Sequence, residues 1–275
     1  MTNDDHHDHD GGLAADLPVL MQRRRVLQFI GGGTLIALVG GAAKLAGASA
    51  PDDDLTAASA TTDVSGVCAP IPEETAGPYP GDGSNGPNAL AEDDIVRRDI
   101  TASFGESTTV AAGVPLAVTL FVTDTSAACA PMPGAAVYLW HCDREGRYSM
   151  YSEGVEGENY LRGVQAADAD GTVVFDTIFP GMYPGRWPHI HFEVYATVAD
   201  AVAGGEPLVT SQLAFPQAIC ETVYATAGYE ASVGNLAATP FESDGVFGDD
   251  GGASQLAVAT GDVAEGVAIE LAVGV

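Results

Sequence analysis

From residue 68 onward the chain consists mainly of short β-rich segments separated by turn residues, and helical periodicity is scarce. Six segments are predicted as strands: PLAVTLFVTD (115–124), AAVYLWHCD (135–143), TVVFDTIFP (172–180), HIHFEVYAT (189–197), LVTSQLAFP (208–216) and VAIELAVGV (267–275). Asp168-Ala169-Asp170-Gly171 predicts a tight turn, because the later ligands of a calcium-binding EF-hand loop are missing. Many short strands without intervening helices predict an all-β fold, an antiparallel β-sandwich.

Two further segments near the C-terminal end carry turn residues without strand alternation. ASVGNLAATP (231–240) and FESDGVFGDDGG (241–252) are both predicted as loops.

The N-terminal part has the pattern of an export signal. Arg23 and Arg24, followed by Val26 and Leu27, resemble a twin-arginine motif before a glycine-rich apolar run, and Ala48-Ser49-Ala50 offers a cleavage site. We therefore predict a signal segment over 1–50, a flexible acidic linker over 51–67, a single domain over 68–275 and an exported protein. A retained membrane anchor is the alternative, although glycine and Lys44 dilute the apolar run.

The charge balance is strongly acidic and excludes some partners. The formal net charge is −28, and beyond the predicted cleavage site the basic residues are arginines alone. Such a surface repels nucleic acid and anionic lipid, so neither is an expected partner.

The four cysteines are Cys68, Cys129, Cys142 and Cys220. An even number in an exported chain predicts two disulfides with the pairing open, and buried free thiols are the alternative. The absence of C-x-x-C spacing argues against a zinc ribbon.

The segment GMYPGRWPHIHFEV (181–194) is the main candidate for a functional site. In a strand, His189 and His191 share one face with Glu193, while the apolar residues between them face the core. Two adjacent imidazoles can bind one metal ion, although the pair alone is also compatible with an ordinary polar sheet face. Zinc would need His141 or a cysteine, and a ferrous site would need a carboxylate such as Glu193.

Two tyrosines offer a different completion of the site. Tyr183 lies six residues before His189, and Tyr148 follows the strand 135–143 directly. A trivalent cation favours the phenolate form of tyrosine, so two phenolates with two imidazoles suit Fe(III).

Four segments form a specific combination of motifs: VYLWHCDREGRYS (137–149), YLRGVQAADADGTVVFDTIFPGMYPGRWPHIHFEV (160–194), ETAGPYP (74–80) and TSQLAFP (210–216). Together they resemble the motifs of the intradiol ring-cleavage dioxygenases, especially those of the exported branch. The resemblance covers roughly 68–275 and implies that family's β-sandwich. One departure is that only five residues separate Tyr183 from His189, where many catechol dioxygenases carry a long insertion, and this bears on the shape of the substrate pocket.

The resemblance also implies roles for individual residues. It implies Tyr148, Tyr183, His189 and His191 as ligands of one Fe(III) per chain, with Tyr183 as the axial ligand that leaves when substrate binds. It further implies Arg186 as a catalytic residue beside the iron that also contacts substrate, Gln212 as a supporting catalytic residue, and Tyr79 as a substrate-lining residue.

The function implied is that of a non-haem Fe(III) dioxygenase without an organic cofactor. It would cleave a catechol-type diol between the hydroxylated carbons with O2 and yield a muconate-type diacid. The alternative is an exported metal-binding β-sandwich module that recognises aromatic or polymer ligands without turnover. The expected partners are a small aromatic diol and O2, without nucleic acid or a stable membrane span after cleavage, and the oligomeric state stays open.

Other residues have structural or undecided interpretations. His141 and Trp187 are predicted to be structural. A carboxylated substrate would need a cation, for which the sequence offers four further arginines: Arg97, Arg98, Arg147 and Arg162.

Overall fold

The computed structural model describes residues 68–275, so the predicted signal segment (1–50) and linker (51–67) lie outside the described residues. Nine strands form two sheets: β1 (Pro115–Asp124), β2 (Ala130–Pro131), β3 (Ala136–Trp140), β4 (Arg162–Ala166), β5 (Thr172–Ile178), β6 (His189–Tyr195), β7 (Val209–Ala214), β8 (Val258–Asp262) and β9 (Gly266–Gly274). One sheet has the order β2-β1-β9-β8, with β5 also paired to β1, and the other has the order β4-β3-β6-β7. The β-sandwich fold is confirmed.

The main core lies between the sheets, where alternate side chains of both interdigitate. Leu116, Val118 and Phe175 of the first sheet pack with Ile190 and Phe192 of the second. All pairs of the second sheet are antiparallel, whereas β1 and β9 of the first run parallel.

The second sheet buries its outer face as well. Tyr138 and Trp140 of β3 belong to a separate apolar cluster, which Leu90 and Ile95 of the preceding segment help to cover. This outer face is protected from water, and the histidines of β6 lie on it.

Six predicted strands are present within a few residues of their expected bounds, and the turn at Asp168 is confirmed. Asp168 Oδ1 accepts hydrogen bonds from the N–H groups of Asp170 and Thr172, both at 2.9 Å, and Gly171 takes a φ of 75°.

Three α-helices contradict the expectation of strands without intervening helices: α1 (Val198–Val202), α2 (Gln217–Tyr224) and α3 (Glu230–Ala238). The prediction of a loop over 231–240 was wrong. Helix α3 has little amphipathic periodicity and is held by tertiary contacts, since Ser232 Oγ accepts from Met182 N–H at 2.9 Å and Asn235 donates to the Met182 carbonyl. Residues 241–252 do lack a strand or α-helix, with one 3-10 helix at Phe241–Ser243.

The expectation of two disulfides was also wrong. Cys68 is bonded to Cys129, whereas Cys142 and Cys220 are free and buried. These two thiols lie in different apolar clusters, so the fold does not pair them. In the described part of the chain no helix is long and apolar enough to cross a membrane.

Candidate active site

Four side chains predicted as metal ligands converge at one end of β6. His189 Nε2 lies 3.2 Å from His191 Nε2 and 3.1 Å from the Tyr183 hydroxyl. The Tyr148 hydroxyl lies 3.5 Å from that of Tyr183. The strand supplies both imidazoles and two loops supply the phenols, so the fold brings together groups that are up to 43 residues apart.

The two imidazoles are oriented and electrically neutral. His189 Nδ1 donates to the Trp187 carbonyl at 2.6 Å. Its Nε2 therefore carries a lone pair, which faces His191 Nε2 and the Tyr183 hydroxyl. The His191 ring stacks on Trp140 with centroids 5.1 Å apart, and its Nδ1 has no hydrogen-bond partner among residues 68–275. Burial lowers the pKa of both histidines well below its usual value, with Arg186 adding to the effect.

The phenols differ in exposure. Tyr148 is buried, and burial together with Tyr183 raises its pKa well above the ordinary value, while Tyr183 is half-buried. Without a cation the phenol of Tyr148 stays protonated at neutral pH. A bound multivalent cation reverses that preference by Coulomb attraction.

The loop that carries Tyr183 approaches the loop of Tyr148 closely because of a glycine. A Cβ on Gly181 would lie 2.3 Å from the Arg144 carbonyl oxygen, and Gly181 N–H donates to the Asp143 carbonyl at 2.9 Å. Any larger residue would clash with this backbone and force the two loops apart.

Arg186 and Gln212 lie in a buried network beside the cluster. Arg186 Nη2 donates to Gln212 Oε1 at 2.6 Å, and Gln212 pairs with His191 across β6 and β7. Gln212 Nε2 donates to the Thr75 carbonyl at 2.8 Å, so the glutamine is buried rather than exposed.

Asp244 completes this network and was missed by the sequence analysis. Its Oδ2 accepts from Arg186 Nε at 3.1 Å and from Trp187 N–H at 2.6 Å. Its Oδ1 accepts from the N–H groups of Val246 and Phe247. The segment 241–252 offered an aspartate in a turn pattern but no signal that it reaches Arg186.

Tyr79, the predicted substrate-lining residue, packs beside the cluster. Its ring packs at 5.1 Å from those of Tyr148 and Tyr151, forming a half-buried aromatic wall. Arg162 lies beneath this wall with no exposed surface, and donates to the Pro80 carbonyl at 2.9 Å and the Ser149 carbonyl at 3.0 Å.

The remaining candidate cations are committed elsewhere. Arg97 donates to backbone carbonyls, among them that of Arg162 at 2.8 Å. Arg98 pairs with Asp176 at 2.8 Å, and Arg147 pairs with Asp143 at 2.8 Å.

The geometry disfavours the alternative metal ligands. Both ring nitrogens of His141 are engaged, with Cys142 O and Thr177 Oγ1 at 2.8 Å each. Glu193 accepts from the hydroxyls of Tyr195 and Thr210. Trp187 packs against Phe247 and donates to the Phe215 carbonyl at 2.8 Å, as expected of a structural residue.

The donor set fits a cation of high charge. The site brings together two imidazole nitrogens, 3.2 Å apart, and two phenol oxygens. The Nε2 of His189 carries a lone pair, and a cation between the four atoms would bind all of them. Imidazole nitrogen and anionic oxygen suit Fe(III) better than a soft metal.

Comparisons with known proteins point to dioxygenases. A family model described as dioxygenase matches residues 86–219, which include the four converging side chains, Arg186 and Gln212. An intradiol ring-cleavage dioxygenase from Tetranychus urticae is similar in structure, with 28% identity and a TM-score of 0.58 over 75% of this chain and 94% of that one. A second dioxygenase crystal structure has 27% identity and a TM-score of 0.59 over 76% of this chain and 94% of that one.

A third similar structure is the dioxygenase domain of a carbohydrate-binding protein fusion from Streptomyces sp. SirexAA-E. It shows 26% identity and a TM-score of 0.47 over 75% of this chain and 98% of that one. No curated protein matches this chain.

The β-sandwich and the matching family model define a dioxygenase, which is an oxidoreductase enzyme. Within that class, the family-model match and the similar structures point to the intradiol ring-cleavage dioxygenases, which this chain resembles in both sequence and fold.

Proposed function

We propose that this protein is a non-haem Fe(III) dioxygenase that cleaves a catechol-type diol between its hydroxylated carbons. Both atoms of O2 enter the product, a muconate-type diacid. The observation that carries the proposal is the convergence of Tyr148, Tyr183, His189 and His191 within hydrogen-bonding distance of one another.

The residues present fit one iron per chain, with the two imidazoles and two phenolates as its ligands. The chemistry that Fe(III) supplies when bound is Lewis acidity, which lowers the pKa of the diol hydroxyls, together with activation of the chelated ring towards O2. The substrate supplies the electrons, so no organic cofactor is required.

The two phenols have different roles in this proposal. Tyr183 is the more exposed and lies on the loop before β6, so of the two phenols it would be the one that moves aside for the diol. Its phenolate oxygen would accept one diol proton, so that binding of the singly deprotonated diol leaves the total charge at the site unchanged. Tyr148 is buried beneath Tyr79 and stays in place.

Arg186 stabilises negative charge that develops on the substrate oxygens. Its guanidinium is fixed by Gln212 and Asp244, so no reorganisation is needed when charge develops. The aromatic wall of Tyr79 and Tyr151 offers apolar surface for the ring of the diol.

We also infer that the protein acts outside the cytoplasm. The support is the twin-arginine pattern at Arg23 and Arg24 together with the Cys68–Cys129 disulfide, a bond typical of oxidising compartments.

The test combines metal analysis, visible spectroscopy and oxygen uptake with catechol, hydroxyquinol and protocatechuate. We expect one iron per chain and a visible tyrosinate-to-iron absorption. With at least one of the three diols, one mole of O2 should be consumed per mole of diol cleaved. The control is the same protein after iron removal, which should be colourless and inactive.

Two outcomes would overturn the proposal. A fully iron-loaded but colourless protein would exclude tyrosinate ligands. A coloured protein that binds diols but consumes no O2 would instead be a binding module without turnover.

A further inference from the structure

The arginine beside the predicted metal ligands belongs to an ion pair. Arg186 is the cation that acts electrostatically on Tyr148, His189 and His191 together. Its Nε lies 3.1 Å from Asp244 Oδ2, and the side chains are 1% and 0% exposed. At this distance the carboxylate of Asp244 offsets part of the positive charge that Arg186 presents to a group on the substrate side.

Asp244 is held firmly in this position. It accepts from Arg186 Nε and from three backbone N–H groups: those of Trp187, Val246 and Phe247. The segment around Phe247 packs on Trp187, so the carboxylate ties residues 244–247 to the loop that leads into β6. Asp244 therefore fixes both the position and the effective charge of Arg186.

The other cations of the described chain already have partners. No lysine follows Lys44 in the sequence, and Arg98, Arg144 and Arg147 pair with carboxylates. Arg97 and Arg162 donate to backbone carbonyls.

Acidic groups act on the same region. Glu74 directly precedes Thr75, whose carbonyl accepts a hydrogen bond from Gln212. The backbone N–H of Glu74 donates to the Thr210 carbonyl of β7 at 2.8 Å. Its carboxyl interacts electrostatically with Arg186, Asp249 and Asp250. A negatively charged ring substituent that approaches Arg186 would therefore also meet these carboxyl groups.

We propose that Asp244, by positioning Arg186 and offsetting part of its positive charge, makes the site select ring diols that lack a carboxylate substituent. This rests on the proposed function, since it concerns the substrate of the same site. Asp244 is a positioning and specificity-determining residue, because it touches Arg186 rather than the reacting atoms.

The test measures the dissociation constants of catechol and protocatechuate for the iron-loaded enzyme under argon, from the shift of its visible band. Without O2 no turnover occurs, so binding is read separately from activity. We expect the wild type to bind catechol at least about tenfold more tightly than protocatechuate, the size of one unfavourable charge interaction at partly screened distance. In Asp244→Asn this ratio should fall by about tenfold through tighter protocatechuate binding.

A matched control is Asp176→Asn, which removes the same charge from the exposed pair with Arg98 and should leave the ratio unchanged. Arg186→Gln provides an independent variant should Asp244→Asn fail to fold, as judged by circular dichroism of the iron-free protein. It leaves Asp244 without its cation, so the preference for catechol should increase.

The outcomes separate this inference from the proposed function. Equal binding of both diols by the wild type, or equal weakening of both in Asp244→Asn, would leave Asp244 only a structural role and overturn the inference. A wild type whose band no diol shifts and which consumes no O2 would overturn the proposed function instead.

Discussion

At the scale of single residues, the environment of each side chain decides its chemistry. Tyr148 and Tyr160 are both buried tyrosines, yet only the hydroxyl of Tyr148 reaches the convergent donors. Tyr160 contacts Asp143 at 3.5 Å instead. Replacement by phenylalanine should therefore have different effects at Tyr148 and at Tyr160.

Tyr148→Phe should weaken iron binding at least about tenfold. Loss of a residue that only orients a metal ligand already lowers metal affinity by about this factor, and loss of the ligand itself should lower it at least as much. It should also shift the visible absorption, since one phenolate donor is gone. Iron titration with absorption spectroscopy measures both. Tyr160→Phe is the control and should retain both properties, whereas unchanged iron affinity in Tyr148→Phe would show that Tyr148 is no ligand.

Glu74 should make stability depend on pH. Burial, followed by the charge of Asp249, raises the pKa of its carboxyl from 4.5 to about 7. Between these values the folded state holds a proton that the unfolded state has released, so the free energy of unfolding falls as pH rises. The stability due to the neutral carboxyl is complete below pH 4.5 and is lost as pH passes 7.

Urea denaturation from pH 4.5 to pH 8 measures this decline. In Glu74→Gln the part of the decline due to Glu74 should disappear, while the exposed control Glu153→Gln should behave like the wild type. A decline of the same size in Glu74→Gln and wild type would show that other groups cause it.

At the scale of elements, β6 serves two purposes through its alternation. His189 and His191 face the site, while Ile190, Phe192 and Val194 face the core between the sheets. A shift of one residue in its pairing with β3 would exchange the two faces. The stability of the core and the geometry of the site therefore depend on the same register.

Phe192→Ala should lower the free energy of unfolding by about 3–5 kcal/mol, because it leaves a cavity in the core. Urea denaturation of the iron-free protein measures this without a contribution from metal binding. Val110→Ala removes a side chain that is 62% exposed and should change stability by less than about 0.5 kcal/mol. Similar effects of both substitutions would mean that β6 does not face the core in this register.

At the scale of the whole molecule, the start of the described chain is tied to the first sheet. Cys68 is bonded to Cys129 beside β2, across a sequence separation of 61 residues, and Ile71 N–H donates to the Gly274 carbonyl of β9 at 2.9 Å. These links hold the segment that continues to Thr75 and Tyr79 at the site.

Replacing both Cys68 and Cys129 by serine should lower the free energy of unfolding by about 2–5 kcal/mol, since the unfolded chain gains conformational freedom. Guanidinium denaturation measures the change, and reductant should lower wild-type stability to the same level. The double variant is its own control, because reductant should not affect it further. Wild-type stability that is insensitive to full reduction would contradict this role.

The sequence alone determined the β-sandwich and four convergent residues. Strand alternation is a local property with a period of two, so β1, β5 and β6 are readable from the chain. The motifs around Tyr148 and Tyr183 singled out the phenols through a family resemblance.

Only the tertiary structure decided which groups meet across the fold. Helix α3 has no amphipathic pattern that would reveal it, since contacts with Met182 hold it in place. The pairing of Cys68 with Cys129 and of Asp244 with Arg186 joins residues 61 and 58 positions apart. Such contacts depend on the packing of both sheets and their loops at once, and local sequence patterns carry no information about that packing.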